Sequence, residues 1–311
     1  MILCNYKRDN YYKMNIENPN YETLYFKTQK HLIEANVLNE KITFENKYLR
    51  AKNAILSSSH NKGEKDEVLL LVHLMYLNET GSYDSLVKIF GDEANQGIHI
   101  LCMDTNNPIE NVDELKKAKG AFKSDTIIEM NKTNTRYFIS IKSKNGANPS
   151  ILNHTPRSAK VFRSDGILHQ YLNSLDELIK EYIEKRTNKL IGEDAFIHSF
   201  DTMNNSTIKN DFMSVISYFV FNGTGKGNSN CPANTIMYYN DNNNEEIEIV
   251  KCCSEDDKKN YINSIFDNLI ISLRDKAMPT KLNETCIPWV YLDHKENGIT
   301  KQKGSLHIRL S

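Results

Sequence analysis

The chain has 311 residues, of which 39% are apolar and 25% are charged, and its formal net charge at pH 7 is −1. This composition excludes wholesale disorder, and the near-neutral charge excludes a strongly basic nucleic-acid-binding protein. The length suits one large domain or two of modest size.

Residues 1–60 are polar and mostly helical in pattern, with LYFKTQKHLIEANVL as their best amphipathic stretch. SSSHNKG (57–63) has the composition of a linker. EKDEVLLLVHLMYLN (64–78) then predicts a strong helix with acids in its first turn, where the helix dipole favours them. Glu64 and Glu67 are three residues apart and share a face of this helix. They serve either as helix-end charges or as functional carboxylates.

Three shorter elements follow the strong helix. GSYDSLVKIFGD predicts a short helix, and IHILCM (98–103) predicts a buried strand. NNPIENVDELKKAKG has Pro near its start and Gly at its end, which is typical of another short helix.

The stretch 120–160, around which the rest of the chain is organised, contains a predicted β-hairpin over residues 125–144. DTIIEM is β-branched and apolar, and RYFISIKSK places Ile139 and Ile141 on one face and Ser140 and Lys142 on the other. NKTNT between them has the Asn and Thr of a turn. The hairpin brings Asp125 and Lys142 onto neighbouring strands, where a carboxylate and an ammonium can bind a divalent metal and activate water beside a phosphate. Ordinary solvated strand ends explain the same two residues.

KSDTIIEM followed by ISIKSK resembles the core of the PD-(D/E)XK nucleases, particularly type II restriction endonucleases. Asp125 matches the first Asp of that pattern and Lys142 matches its Lys. Ser140 stands where the pattern has a second acid, and the chain is in this respect similar to restriction enzymes with S-x-K and an acid recruited from a helix. NKGEKDEVLLL also resembles the first helix of some of these enzymes, which begins Lys-Gly-Glu and carries a further Glu.

The resemblance implies a catalytic set of Asp125, Lys142 and Glu67. Asp125 and Glu67 would ligate Mg²⁺ together with the backbone carbonyl of Ile141, and Glu64 is the second choice for the helix carboxylate. Lys142 would orient or deprotonate the attacking water, or neutralise charge at the scissile phosphate.

A basic and polar stretch surrounds the hairpin. Residues 111–165 contain eleven Lys or Arg and five Asp or Glu, so this stretch carries +6 and the rest of the chain −7. NGANPSILNHTPRSAKVFRSD (145–165) is predicted to be a polar loop whose side chains suit phosphates and base edges. The predicted DNA contacts are Lys144, Asn153, His154, Arg157 and Lys160. A polar loop capped by its own side chains is the alternative.

The C-terminal half alternates helical and strand patterns. GILHQYLNSLDELIKEYIEKRTN (166–188) predicts an amphipathic helix, and EDDKKNYINSIFDNLIISL (255–273) a second one. SVISYFVFN (214–222), TIMYYN, EIEIVKC, WVYLD and SLHIRL predict strands. NGTGKGNSN (222–230) lacks the Walker spacing and predicts a hairpin loop rather than a nucleotide site.

The six cysteines form no CxxC pair or zinc-finger spacing, which indicates reduced thiols; a zinc site from Cys231, Cys252 and Cys286 is the alternative. The start of the chain, MILCNYKRDNYYK, lacks a signal-peptide pattern, and the chain has no apolar run near the ~20 residues of a membrane helix. The expected location is therefore cytoplasmic, with no membrane partner.

We expect a mixed α/β fold in which helices flank a central sheet, as in the restriction-endonuclease core. The expected regions are a helical part (1–60), a nuclease core (61–200) and a strand-rich part (201–311) packed on that core as one unit. The resemblance implies a site-specific, Mg²⁺-dependent endonuclease for double-stranded DNA, with a cognate DNA methyltransferase in the same host. Palindromic sites favour a homodimer. A structure-specific repair or recombination nuclease, or a DNA-binding protein with a decayed site, are the alternatives.

Overall fold

The computed structural model describes residues 21–120, 122–145, 147–240, 246–274, 287–289, 292–296 and 299–311. Its helices are α1 (Tyr21–Ser57), α2 (Lys62–Glu79), α3 (Tyr83–Phe90), α4 (Leu172–Thr187), α5 (Ser206–Ser217) and α6 (Glu255–Phe266). Its strands are β1 (Ile98–Leu101), β2 (Thr126–Met130), β3 (Arg136–Ser143), β4 (Ser150–Thr155), β5 (Ala195–Phe196), β6 (Gly223–Thr224), β7 (Gly227–Asn228), β8 (Thr235–Asn240), β9 (Glu246–Lys251), β10 (Leu269–Arg274), β11 (Leu292–Glu296), β12 (Ile299–Lys303) and β13 (Ser305–Leu310).

The chain divides into two compact units, Met1–Asn53 and Ala54–Ser311, and the boundary falls within α1. The first unit is helical over its described part, as the sequence predicts. Several large apolar side chains of this helix are exposed to solvent, among them Phe26, Ile33 and Leu49. The second unit contains both the predicted nuclease core and the strand-rich C-terminal region.

The first sheet of the second unit has five strands in the order β1-β2-β3-β8-β9. Strands β2 and β3 form the predicted antiparallel hairpin, with Thr126 opposite Ile139 and Glu129 opposite Arg136. Strand β8 pairs in parallel with β3, and β9 pairs antiparallel with β8. The sheet is therefore mixed, and β3 lies at its centre.

Helix α2 contacts β3 and β1 of this sheet. Its run of buried residues from Val68 to Val72 explains why the strongly apolar sequence folds here as a core helix. The helix begins with a capping box, in which the Asn61 side chain accepts from the Glu64 N–H and the Glu64 carboxylate accepts from the Asn61 N–H. Such a cap contributes about 1 kcal/mol and fixes where the helix starts.

The second sheet has four antiparallel strands in the order β4-β13-β10-β5. Leu152, Leu273 and Ile308 on its inner face join a core cluster with the apolar faces of α4, α5 and α6. Ile236 and Cys252, at the ends of β8 and β9, belong to the same cluster. The mixed α/β class predicted from the sequence is thus confirmed. No helix among the described residues is long and apolar enough to cross a membrane.

Two predicted elements of the C-terminal half are wrong. SVISYFVFN is helical: α5 runs through Ser217, and a turn of π-helix follows over Tyr218–Asn222. Tyr218 to Phe221 in that turn are all buried. These four residues therefore show no alternation of apolar and polar side chains that would separate a helix from a strand. The predicted helix 255–273 ends at Phe266, and its last residues form the buried strand β10.

Two further predictions need correction nearer the hairpin. NNPIENVDELKKAKG forms only a single 3₁₀ turn, Val112–Glu114, and Pro108 bridges to Leu101 beside β1. The predicted loop 145–165 contains strand β4, because Ile151 and Leu152 are needed in the core of the second sheet. The predicted strand WVYLD falls partly outside the described residues, which resume at Leu292 with β11. NGTGKGNSN forms the predicted hairpin, with β6 and β7 paired antiparallel.

Candidate active site

Asp125 lies immediately before β2, at the point where β2 and β3 begin to separate. Its N–H donates to the Ile139 carbonyl at 2.7 Å, which is the last main-chain bond between the two strands on this side. Beyond it, the Ile141 N–H donates to Oδ2 of the Asp125 side chain, also at 2.7 Å. The carboxylate thus takes the place that the next β2 carbonyl would occupy, and this contact fixes its orientation.

Ser140 joins Asp125 to Lys142. Its hydroxyl donates to Oδ2 of Asp125 at 3.4 Å and accepts from the Lys142 ammonium at 3.0 Å. Ser140 is buried, with 1% of its surface exposed, so the hydroxyl lies inside the protein as part of a short polar chain. The two side chains share a face of β3 because strand residues two apart point the same way.

The Ile141 carbonyl faces the same edge of β3 as the Ile141 N–H, because the two main-chain groups of a strand residue point to one side. That edge is where the Asp125 carboxylate lies. The strand geometry therefore orients a main-chain oxygen toward the end of β2, as the resemblance implies for Ile141.

Glu67 is the second carboxylate near this point. It lies on α2, half-buried, and its Oε2 atom is buried without a hydrogen-bond partner among the residues that the structure describes. Burial, and after it the charge of Asp125, raise the pKa of Glu67 to about 8, while Lys117 and Lys142 act in the opposite direction. The effect of the Asp125 charge on the pKa of Glu67 puts the two carboxylates within electrostatic range of each other.

Glu64, the second choice for the helix carboxylate, is engaged elsewhere. One of its oxygens closes the capping box of α2, and the other accepts a hydrogen bond from Lys117. The Lys117 hydrogen bond, more than the cap, holds the pKa of Glu64 below its usual value. Both oxygens of Glu64 therefore have partners that stabilise the start of α2. Of these two helix carboxylates, Glu67 is the one with a buried oxygen that lacks a hydrogen-bond partner among the described residues.

Lys123 is a site residue that the sequence reading missed. Burial, and after it the charge of Lys142, lower the pKa of Lys123 to about 7, although Asp125 favours the charged form. The main chain here is tied to the segment after β7: the Lys123 N–H donates to Ser229 and the Ser124 hydroxyl to the Cys231 carbonyl. No sequence pattern marks Lys123, since the residues that hold its main chain in place lie over a hundred positions away.

A cleft with a volume of about 340 Å³ opens beside Asp125. Its lining includes the apolar side chains of Leu71 and Phe122, three lysines (Lys116, Lys117 and Lys119) and, with Asp125, the acids Asp104, Asp113 and Glu114. Lys117 pairs with Glu64 and Lys119 with Asp104, so these ammonium groups are held at the cleft rather than free to swing. The cleft therefore combines three ammonium groups with the four carboxylates of Asp104, Asp113, Glu114 and Asp125, so its lining is not cationic overall.

None of the five predicted DNA-contact residues lines this cleft among its described neighbours. Lys144 pairs with Glu248 at 2.5 Å, across the end of β8. Arg157 pairs with Asp176 and lies over the Trp289 ring, 5.5 Å from its centroid. Both residues have carboxylate partners within the protein.

The other three lie around β4. Asn153 is exposed on that strand, and His154 stacks on His307 of β13 with ring centroids 4.9 Å apart. Lys160 faces Lys226 of the β6–β7 hairpin across a surface groove. The structure thus places Asn153, His154 and Lys160 around β4 of the second sheet, whereas Lys144 lies at the end of β3 in the first sheet.

The donor set beside Asp125 suits a hard divalent cation. The described residues contain no group of three or more His, Cys, Asp or Glu side chains arranged to hold a metal ion. Two carboxylates and the Ile141 carbonyl nevertheless supply the hard oxygen ligands that Mg²⁺ prefers, and Mg²⁺ commonly keeps several waters. The unsatisfied Oε2 of Glu67 is the observation that fits such an ion.

Of the cysteines, Cys102, Cys231, Cys252 and Cys253 are free thiols, and Cys4 and Cys286 lie outside the described residues. Burial raises the pKa of Cys252 to about 11, so this side chain is a neutral part of the core.

Comparisons of the chain with models of protein families, with curated proteins and with solved structures find no match.

Proposed function

We propose that the protein is a Mg²⁺-dependent endonuclease for double-stranded DNA, of the site-specific restriction type. The observation that carries this proposal is the cluster at the end of the β2–β3 hairpin. Asp125 is held there by the Ile141 N–H, Ser140 links it to Lys142, and Glu67 approaches it with an unsatisfied oxygen. The order of these residues along the strands is the order in the family that the sequence resembles.

Each residue has a distinct part in phosphodiester hydrolysis. Asp125, Glu67 and the Ile141 carbonyl would hold Mg²⁺, which when bound acts as a Lewis acid and makes hydroxide available near neutral pH. The Lys142 ammonium stabilises negative charge on the phosphate or orients the attacking water. Water adds at phosphorus and one P–O ester bond breaks, which leaves a phosphate monoester end and a hydroxyl end.

Ser140 replaces the second acid of the family pattern. Its hydroxyl cannot supply a charge to the ion, but it holds Asp125 and Lys142 at a fixed separation. The missing charge then has to come from α2, and Glu67 meets that need because its neighbour Glu64 is committed to the helix cap and Lys117.

The cleft beside Asp125 is the proposed path of the DNA backbone. Lys116, Lys117 and Lys119 would contact phosphates there. Lys144, Asn153, His154, Arg157 and Lys160 remain predicted contacts for more distant parts of the duplex. A homodimer, which a palindromic target favours, and a cognate methyltransferase are further parts of the proposal.

Three variants and two controls test the assignment. Asp125→Asn and Glu67→Gln should each abolish Mg²⁺-dependent cleavage because the ion loses a carboxylate ligand, and Lys142→Gln should abolish it because the ammonium group is lost. Lys132→Gln on the hairpin turn and Glu79→Gln at the end of α2 are matched controls, since both residues are exposed. Loss of cleavage in the controls, or its survival in the three site variants, would refute the assignment.

The same assay separates the remaining alternatives. A site-specific enzyme yields discrete fragments with one common end sequence, and a structure-specific nuclease cuts branched or damaged DNA and leaves intact duplex alone. A decayed site binds DNA without cutting it under any divalent cation.

A further inference from the structure

A second acidic residue of α2 forms a buried contact that the proposed chemistry does not use. Asp66 precedes Glu67 and has only 2% of its surface exposed. Its Oδ2 atom accepts a hydrogen bond from the Ser143 hydroxyl and another from the Asn145 side-chain amide at 3.3 Å. Both partners lie at the end of β3, one and three residues beyond Lys142.

Ser143 and Asn145 are themselves held in place. The Asn145 N–H donates to the Ser143 hydroxyl at 3.0 Å, and the intervening Lys144 N–H donates to the Tyr239 carbonyl of β8 at 2.8 Å. Asn145 is 3% exposed. The Asp66 carboxylate on α2 is therefore hydrogen-bonded to residues that the first sheet holds in place.

A buried carboxylate with two neutral donors is an unfavourable way to stabilise a protein. Removal of the charge from water is unfavourable, and neutral hydrogen bonds offset only part of that cost. An apolar side chain at this position would pack against the sheet without the penalty. The contact therefore makes sense as a constraint on geometry.

The geometry that it constrains is the position of Glu67. Adjacent helix residues differ by 100° in direction and 1.5 Å in height, so a fixed Asp66 fixes the rotation and depth of α2. Helix α2 is pinned in this way to the strand that carries Ile141 and Lys142. These hydrogen bonds of Asp66 therefore help to set the distance between the Glu67 and Asp125 carboxylates.

We propose that Asp66 is a positioning residue, which holds Glu67 against Asp125 through Ser143 and Asn145. This inference rests on the proposed function, since it concerns the same metal-binding pair. Residues that orient metal ligands typically change metal affinity or activity by about 10–100-fold when they are replaced.

The test is Mn²⁺ binding, measured from the electron paramagnetic resonance signal of free Mn²⁺, together with kcat and KM for DNA cleavage. Asp66→Asn places an amide against the Asn145 amide. We expect it to weaken Mn²⁺ binding and to lower kcat by about 10–100-fold, with KM little changed. The double variant Asp66→Asn with Asn145→Asp restores a donor opposite an acceptor, and it should recover part of both losses.

Ser143→Ala and Ser143→Thr keep the test decisive if Asp66→Asn folds poorly. Ser143→Ala removes one donor and should weaken Mn²⁺ binding in the same direction, whereas Ser143→Thr retains a hydroxyl and should behave like the wild type. Glu79→Gln on the same helix is the control for a charge change without a contact.

The outcomes distinguish this inference from the proposed function. Wild-type Mn²⁺ affinity and kcat in both Asp66→Asn and Ser143→Ala would overturn the positioning role and leave the nuclease proposal intact. A loss of activity that matches the loss of folded protein, with unchanged Mn²⁺ affinity per folded molecule, would also overturn it. A wild-type protein that neither binds Mn²⁺ nor cuts DNA would refute both.

Discussion

The Ile141 N–H donates to Oδ2 of Asp125 at 2.7 Å, and this bond ties the carboxylate to the strand that carries Lys142. One oxygen of Asp125 is thereby oriented by the main chain, which leaves the other for a ligand. This hydrogen bond explains how Asp125 and Lys142, the two residues that match the family pattern, come to lie in one local cluster of opposite charges.

Asp125→Asn tests the charge of this carboxylate without removing its shape. The Asn oxygen can still accept from Ile141, so the fold and the melting temperature should change little. The rate of Mg²⁺-dependent cleavage should fall at least about 100-fold, because the ion loses its anionic ligand. Asp113→Asn, at the wall of the same cleft, should cut like the wild type. Comparable rates for Asp125→Asn and Asp113→Asn would contradict the assignment.

Lys142→Gln tests the ammonium group at the other end of the polar chain. A group that transfers or orients a proton in the transition state contributes about 10²–10⁴-fold to the rate. We expect a fall in kcat of that size, with unchanged affinity for DNA in Ca²⁺ by gel shift. If kcat falls equally for Lys142→Gln and for the exposed Lys132→Gln, the loss of one positive charge anywhere on the protein explains the effect, and the location of Lys142 beside Asp125 does not.

The pKa of Glu67 predicts how stability depends on pH. Its folded-state pKa is raised to about 8 by burial and by Asp125, whereas a Glu in the unfolded chain titrates near pH 4.5. Between these values the folded protein binds more protons, so this group's contribution to stability is full below pH 4.5 and is lost as pH rises to about 8. In EDTA, Glu67→Gln should therefore gain in melting temperature relative to the wild type from pH 5 to 8.

Glu79→Gln provides the reference for this pH series, since it changes a Glu of the same helix at an exposed position. Its melting temperature should run parallel to that of the wild type. A parallel course for Glu67→Gln as well would mean that Glu67 titrates normally and does not face Asp125.

Salt dependence distinguishes the two sets of candidate DNA contacts. Each phosphate contact that is lost should flatten the log–log slope of affinity against salt by about 0.9. Lys116→Gln with Lys119→Gln should flatten it, because both residues line the cleft. Lys144→Gln with Lys160→Gln should flatten it less, since neither residue lines the cleft. The reverse ranking would place the duplex along the side of β4.

The hairpin was predictable because its signals are local. The alternation of Ile139 and Ile141 with Ser140 and Lys142 fixes which side chains share a face, and that pattern lies within four residues. The start of α2 was predictable for the same reason, since Asn61 and Glu64 form a cap within one turn.

The rest of the site depends on contacts that no local pattern encodes. Asp66 meets Ser143 and Asn145 from 77 and 79 residues away. The low pKa of Lys123 comes from burial under other parts of the chain. SVISYFVFN was mistaken for a strand because its apolar part, Tyr218 to Phe221, is buried throughout and shows no period that separates a helix from a strand.

The most direct test is to incubate long duplex DNA of known sequence with the wild-type protein and with Asp125→Asn, in Mg²⁺ and in EDTA, and to map the fragment ends. We expect discrete fragments that share one short end sequence, formed only by the wild type and only in Mg²⁺. Intact DNA with the wild type in Mg²⁺, or identical fragments from Asp125→Asn, would contradict it.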